Sequence, residues 1–241
     1  MRERFNHLFL DIFEKNGLDA YVNTETVEKF WNLTQLMLET NAVMNITAIT
    51  DMEKIIPLHY ADCVKIADMI PKNASIADIG CGGGFPILPL AIVRPDLKLL
   101  GIDSTEKKAR YVEKTGKKLG LNLKTVSGRA EELAKLSDIR QSFDVVVSRA
   151  VARLNILNEL CMPFVKIGGC FIAMKGAAGM QEFEEAKAGI YKLGGELEKD
   201  DEYDLYTNEQ VEKRSVFIIR QINSVPATYP RAFGSIKKKP L

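Results

Sequence analysis

Ten consecutive residues, Ala77-Asp78-Ile79-Gly80-Cys81-Gly82-Gly83-Gly84-Phe85-Pro86, place an acid, four glycines and a proline in an order that few chemistries require. The apolar run from Ser75 to Ile79 reads as a buried parallel strand that stops in the glycines. Glycine lets a backbone come within contact distance of a ligand and adopt positive φ. Pro86 is expected at the first position of a helix, where its missing N–H is not needed. Strand, glycine loop and helix N-terminus together form a nucleotide-type site. The dinucleotide fingerprint G-x-G-x-x-G is not met, because its third glycine falls on Phe85 counted from Gly80 and on Ile87 counted from Gly82. That glycine permits close helix–strand packing beneath a pyrophosphate, so NAD and FAD are disfavoured. The P-loop sequence G-x-x-x-x-G-K-[ST] occurs nowhere in the chain.

The pattern that remains, D-x-G-x-G-x-G from Asp78 to Gly84, resembles motif I of class I S-adenosylmethionine-dependent methyltransferases. Such a loop wraps an amino acid and a sulfonium, and needs backbone amides and a carboxylate, not a phosphate cradle. Asp103 ends the next apolar run, where a carboxylate accepts the ribose hydroxyls of an adenosine. NAD would use the same acid, so Asp103 argues for adenosine and not for methyl transfer; its other reading is a helix cap. Ala130 and Glu131 follow the third strand. Many methyltransferases place an acid beside the adenine amino group here, but the nearest matching position holds Arg129. Glu131 or the backbone of Ala130 is left to make that contact, unless Glu131 only charges a helix first turn.

Ser148-Arg149-Ala150 follow the fourth strand, and the absences there are useful. The chain has no Asn/Asp-Pro-Pro-aromatic sequence for amino-group methylation and no Pro-Cys nucleophile; Cys161-Met162-Pro163 has the wrong order. With no general base evident, the acceptor is expected to be nucleophilic already, such as a ring-nitrogen lone pair, for which alignment supplies most of the rate. Arg149 suits a phosphate or a guanine edge, or else a structural ion pair. Phe85 either covers the ligand or packs in the core. His59 and Asp62 stand three apart, but two residues do not make a metal site, and two histidines in the chain argue against zinc.

These residues need an α/β frame. The first seventy residues read as helices: Arg4 to Lys15, a second capped by Thr24, and a third with a Thr50–Glu53 capping box running toward Met69. From Ser75, strands alternate with helices, at 75–79, 98–103, 123–128, 143–148 and 170–174, with two late strands near 196–205 and 214–222. This predicts a mostly parallel seven-stranded sheet of Rossmann-like, methyltransferase type, closed by an antiparallel hairpin. Residues 1–72 form a helical extension and 73–241 the cofactor-binding domain. Ligands of such sheets bind beyond the carboxyl ends of the strands. A hydrophobic content of 46% and charged content of 27% fit an ordinary soluble globule, and a net charge of +1 leaves any basic face local. The four cysteines form no C-x-x-C pair, which suits a reducing cytoplasm. No signal core or stretch of ~20 apolar residues appears, so no membrane partner is expected. Lys107, Lys108, Arg110, Lys114, Lys117 and Lys118 decorate one helix, readable as its solvated face. The tail Tyr229 to Leu241 mixes aromatics with Arg231, Lys237, Lys238 and Lys239, the combination that grips a nucleic-acid backbone.

Taken together, these segments resemble the RsmG (GidB) family of ribosomal RNA methyltransferases. The matching pieces are Asn45-Ile-Thr-Ala-Ile49, His59-Tyr-Ala-Asp62, Asp78 to Pro86, Arg129-Ala-Glu131, Ser148 to Arg153 and Tyr229-Pro-Arg231, in family order over nearly the whole chain. The resemblance implies methylation of guanosine N7 in 16S rRNA of the 30S subunit, with S-adenosylmethionine as cofactor and no metal, in the bacterial cytoplasm. It carries cofactor contacts onto Gly80, Phe85, Ala130, Glu131 and Arg149. Asp78, Gly82, Gly84 and Asp103 complete that set. Arg149, Asn45 and Asp62 are expected to orient the target base, and Arg231 with Lys237 to Lys239 the RNA backbone. The chain is expected to act as a monomer. It departs from the family's Phe-Pro-Gly-Ile-Pro by carrying Ile87, whose bulk is expected to alter how the methionine end is held. Two rival readings stay open: a small-molecule methyltransferase, and a ribosome-associated binder without catalysis.

Overall fold

In the computed structural model, which describes residues 1–241, seven strands form one sheet. They are β1 (Ser75–Ile79), β2 (Lys98–Asp103), β3 (Leu123–Ser127), β4 (Phe143–Arg149), β5 (Val165–Gly176), β6 (Gly195–Tyr206) and β7 (Val211–Gln221). The order is β3-β2-β1-β4-β5-β7-β6, and β7 alone runs antiparallel to its neighbours. Central strands must be apolar on both faces, and Ile76 to Ile79 of β1 and Val145 to Ser148 of β4 are all buried. The direction of chain progression reverses between β1 and β4, which opens a crevice at their carboxyl ends.

Helices α1 (Arg2–Lys15), α2 (Thr24–Asn41), α3 (Met52–Ile55), α4 (Asp62–Val64), α5 (Ile87–Val93) and α6 (Glu106–Lys118) cover one face. Helices α7 (Ala130–Leu133), α8 (Leu154–Cys161) and α9 (Gly179–Lys192) cover the other, and the tail ends in α10 (Phe233–Lys238). Alternate strand residues feed the two faces, as pleating requires: Val145 and Ile172 join the first core, Val146 and Phe171 the second. The first core runs without a break from Phe5, Phe9 and Phe30 to Ile76, Leu88 and Tyr111. The change at residue 72 is therefore one of sequence pattern and not of core. Tilted rings lead from Phe9 through Phe30 and Tyr60 to Phe85, at centroid spacings of 5.2, 4.7 and 6.3 Å. The N-terminal helices are thus packed directly onto the glycine loop.

Several helix ends differ from expectation. Asn23, not Thr24, caps α2, its side chain accepting from Thr26 N. Asp51, not Thr50, caps α3; an ionised acceptor at a helix N-terminus also gains from the helix dipole. The third helix does not run on evenly. Pro57 lacks an N–H and would collide with the carbonyl four residues back, and the chain opens into a π turn over Ile56–Ala61. The carbonyl that Pro57 cannot serve, that of Glu53, accepts from Asn208 Nδ2 at 3.3 Å. Pro86 is the N-cap of α5 and Ile87 its first residue.

Candidate active site

The crevice at the strand ends is a cleft of about 400 Å³ whose walls include Gly80, Gly82, Phe85, Asp103 and Arg149. Gly80 has φ +76°, and a Cβ there would meet Val151 Cγ2 at 2.5 Å. Gly84 has φ +89°, and a Cβ there would collide with Leu88. Both positions require glycine. Asp103 is fixed between the loop and α6: Oδ2 accepts from Gly82 N at 2.9 Å and Oδ1 from Thr105 N at 2.7 Å. Each oxygen keeps a lone pair for a hydroxyl. Gly128 N donates to the Asp103 carbonyl at 3.0 Å, which brings the loop leading to Ala130 and Glu131 beside it.

Asp78 lies fully buried beneath the loop, with Oδ2 accepting from Ile87 N at 3.2 Å and Oδ1 without a partner. Burial pushes its carboxyl up to about 7. Ile87 was expected to disturb the methionine end, but its side chain is fully buried, packed toward Gly101 of β2, and its backbone N–H serves Asp78. The extra bulk goes into the core.

Arg149, at the end of β4, is held from several sides. Nη1 donates to Leu58 O at 2.7 Å and to Asp62 Oδ2 at 3.0 Å, and Nη2 to His59 Nδ1 at 3.2 Å. The guanidinium carbon lies 5.7 Å from the centre of the Phe85 ring, on which His59 stacks at 4.3 Å and 13°. Arginine has no acceptor, so His59 Nδ1 accepts and its proton sits on Nε2, donating to Thr47 Oγ1 at 2.9 Å. Burial, then the Arg149 charge, pushes His59 down to about 3. With both nitrogens engaged, this neutral ring is a spacer and not a base. Asp62 is equally occupied: Oδ1 accepts from Tyr203 Oη at 2.8 Å and faces Arg214 Nε at 3.3 Å. Its carboxylate anchors Arg149, with Oδ2 carrying that one contact and Oδ1 the other two. Arg149 Nε has no partner. Asp78, beneath the loop and not itself on the cleft wall, keeps Oδ1 unpartnered, so donor and acceptor complement an amino acid's carboxylate and ammonium. The residues present therefore fit S-adenosylmethionine.

Ala150 follows with φ +57°, a left-handed conformation that costs a non-glycine residue about 1–2 kcal/mol. This turn separates two spaces. Beyond Arg149-Ala150-Val151 lies a second pocket of about 450 Å³, at the ends of β4 and β5, whose walls carry Arg153, Lys175 and Arg214 together with Glu182 and Asp62, which pair with Lys175 and Arg214.

Other expected residues are placed differently. Asn45 is exposed, while its neighbours Ile46 and Thr47 line the cleft. Glu131 is buried and pairs with Arg129 at 3.3 Å, and neither it nor Ala130 forms the cleft wall. The clearest correction is Arg231, expected on an RNA backbone. Its Nε lies 2.9 and 3.1 Å from the two carboxylate oxygens of Glu159, which is fully buried in α8, and its backbone N–H donates to Glu159 at 2.8 Å. Arg231 locks the tail to the domain. Lys237, Lys238 and Lys239 are exposed and outside any ion pair. Sequence reasoning missed Thr47, Tyr203 and Arg214, since a β6–β7 contact reaching back to Asp62 leaves no local signal.

The family model described as rRNA small subunit methyltransferase G (GidB) matches residues 26–203. Curated proteins named Ribosomal RNA small subunit methyltransferase G are similar along their whole length. The one from Clostridium novyi is 40% identical, covering 97% of this chain and 98% of its own. That of Brevibacillus brevis is 42% identical over the same shares. Among solved structures, NSun6 from Pyrococcus horikoshii superposes with a TM-score of 0.54 at 15% identity, over 70% of this chain and 53% of its own. TYW2 of M. jannaschii in complex with AdoMet gives 0.50 at 17%, over 67% and 75%. Those two likenesses establish the fold.

Proposed function

The chain belongs to the rRNA small subunit methyltransferase G family, and from that premise we propose that it moves the methyl group of S-adenosylmethionine to N7 of a guanosine in 16S rRNA. When bound, S-adenosylmethionine supplies a methyl carbon made electrophilic by its sulfonium. The chain's own residues do the rest. Gly80, Gly82 and Gly84 shape the loop, Asp103 takes the ribose hydroxyls, and Glu131 or the Ala130 backbone the adenine edge. Asp78 and Arg149 hold the charged amino-acid end. Guanine N7 carries a free lone pair at neutral pH, so no base is needed, in keeping with a cleft whose histidine is neutral and engaged. Rate then comes from alignment.

The observation that carries this reading is the shared wall Arg149-Ala150-Val151 between the cleft and the second pocket. A base held in the second pocket meets a methyl group presented from the first. Asn45 stands at the rim, and Lys237 to Lys239 reach the RNA backbone. We place this activity in a monomer in the bacterial cytoplasm; no helix is long and apolar enough to cross a membrane.

The test uses 30S subunits from cells lacking this activity, labelled S-adenosylmethionine, and borohydride–aniline cleavage, which reports N7-methylguanosine. One new cleavage in 16S rRNA is expected. Label at another atom or in a small molecule overturns the N7 assignment, and cofactor binding without any label overturns the enzyme.

A further inference from the structure

The lysines of α6 are not evenly solvated. Six of its thirteen residues are basic and two acidic. The acids pair along the helix, Glu106 with Arg110 at 2.5 Å and Glu113 with Lys117 at 3.0 Å. That leaves Lys107, Lys108, Lys114 and Lys118 outside any ion pair. Positions 107, 114 and 118 fall on one helical stripe, and that stripe faces α2 across a groove of about 350 Å³. Lys107, Arg110, Lys114 and Lys118 line it with Thr40 and Met44 of the α2 side, and no carboxylate does. At 1.5 Å per residue the stripe is roughly 16 Å long, enough for several phosphates. Its start adjoins the cofactor cleft, whose wall includes Lys108.

The opposite edge of the sheet has the opposite charge. Strand β6 carries six acids and one lysine, and Glu196, Asp200 and Glu202 are unpaired. Since β3, beneath α6, and β6 are the two sheet edges, the net charge of +1 conceals a separation across the molecule. A polyanion is drawn to one edge and repelled from the other.

We propose that the α2–α6 groove binds the phosphate backbone of the RNA substrate, at a segment away from the reacting nucleotide. This rests on the reading that the substrate is RNA. The groove is distinct from the lysines of α10, which lie near Arg129, whose guanidinium packs 5.6 Å from the Phe233 ring. RNA therefore contacts the chain on both sides of the cleft.

The test compares K107Q/K114Q/K118Q with the full-length parent. All three lysines are exposed, so an unchanged melting temperature and unchanged S-adenosylhomocysteine affinity serve as controls. Binding to a protein-free 16S rRNA fragment is measured across a salt series. The variant's slope of log affinity against log salt should be less steep by about 2 to 3, and its affinity lower on the order of tenfold or more. KM for RNA should rise with kcat retained. K117Q, whose lysine does not line the groove and pairs with Glu113, should change neither. Equal slopes for the triple variant and the parent overturn the proposal, as does a loss from K117Q equal to one third of the triple effect, which would make net charge the cause. A loss seen with 30S subunits but not with protein-free RNA also overturns it, since the occupant is then a ribosomal protein. If the parent binds RNA with the expected slopes yet methylates none, the groove stands and the proposed activity falls.

Discussion

Lys108 lines the cofactor cleft and Lys107 the α2–α6 groove, so adjacent residues of one helix serve two sites built in opposite ways. Apart from Lys108, the charged groups of the cleft are buried and already engaged: Arg149 with Leu58 O, Asp62 and His59, and Asp103 with two backbone amides. In the groove the lysines are exposed and unpaired. Buried, satisfied charges fix geometry and are insensitive to salt; exposed charges supply attraction that salt screens. The cleft thus selects one small molecule by shape, and the groove accepts any phosphate backbone. On the proposed reading, sequence specificity falls to the second pocket, across the Arg149–Val151 wall from the cleft and on the side away from the groove.

The largest effect should separate position from charge. Arg149→Leu takes from the buried Asp62 one of its two arginine partners, leaving Arg214 and Tyr203, and is expected to cost about 1.5–3 kcal/mol in urea unfolding and to abolish methyl transfer. Arg149→Lys keeps the charge, but a point donor cannot serve Leu58 O, Asp62 and His59 together. Stability should recover in part and activity not at all. Full recovery with lysine would show that the cleft works by charge, as the groove does, and the contrast would fail.

A smaller effect is expected at Asp103. Asparagine turns one of two acceptors into a donor that faces a backbone N–H, from Gly82 or Thr105. A hydrogen bond to a charged group is worth about 1.5–3 kcal/mol, so Asp103→Asn should weaken S-adenosylhomocysteine roughly tenfold to a hundredfold by calorimetry. The salt dependence of RNA binding should not move. A change in RNA slope would mean that the two sites are coupled through α6.

The same contrast decides what the sequence could reveal. The cleft is built from consecutive residues whose types are forced by local geometry, and β1 and β2 fall on the residues their apolar runs mark out. Gly80, Gly84 and Asp103 are legible for that reason. Arg231 was misread because its partner Glu159 lies seventy-two positions earlier, and an arginine in a basic tail looks the same whether it meets phosphate or a buried carboxylate. Asp62 was legible only in part: it stands on the wall of the second pocket, but its partners Tyr203 and Arg214 arrive from the far hairpin. Thr50 lost its cap to the adjacent acid, a competition that spacing cannot resolve. The groove was half legible: the lysines of α6 were evident, but the α2 wall that turns a solvated face into a channel is tertiary.

The finest test sets pH against salt. Asp78 is buried with one oxygen unpartnered, and its carboxyl is pushed up to about 7. If its carboxylate meets the ammonium of the cofactor, binding requires the ionised form. Affinity for S-adenosylhomocysteine should then be flat above pH 8 and fall toward tenfold per pH unit below about 7, about 1.4 kcal/mol for each. His59, pushed down to about 3, stays neutral across that range and does not contribute. Asp78→Asn should flatten the profile at the weaker affinity. It should also stabilise the ligand-free chain at pH 8. A carboxyl with a raised folded value contributes fully below its ordinary range, and loses that contribution as pH rises through the folded value. RNA binding through lysines should show the reverse signature, steep in salt and flat from pH 6 to 8. A cofactor profile that remains pH-dependent in Asp78→Asn would assign the titration to another group and leave Asp78 as a structural acid under the loop.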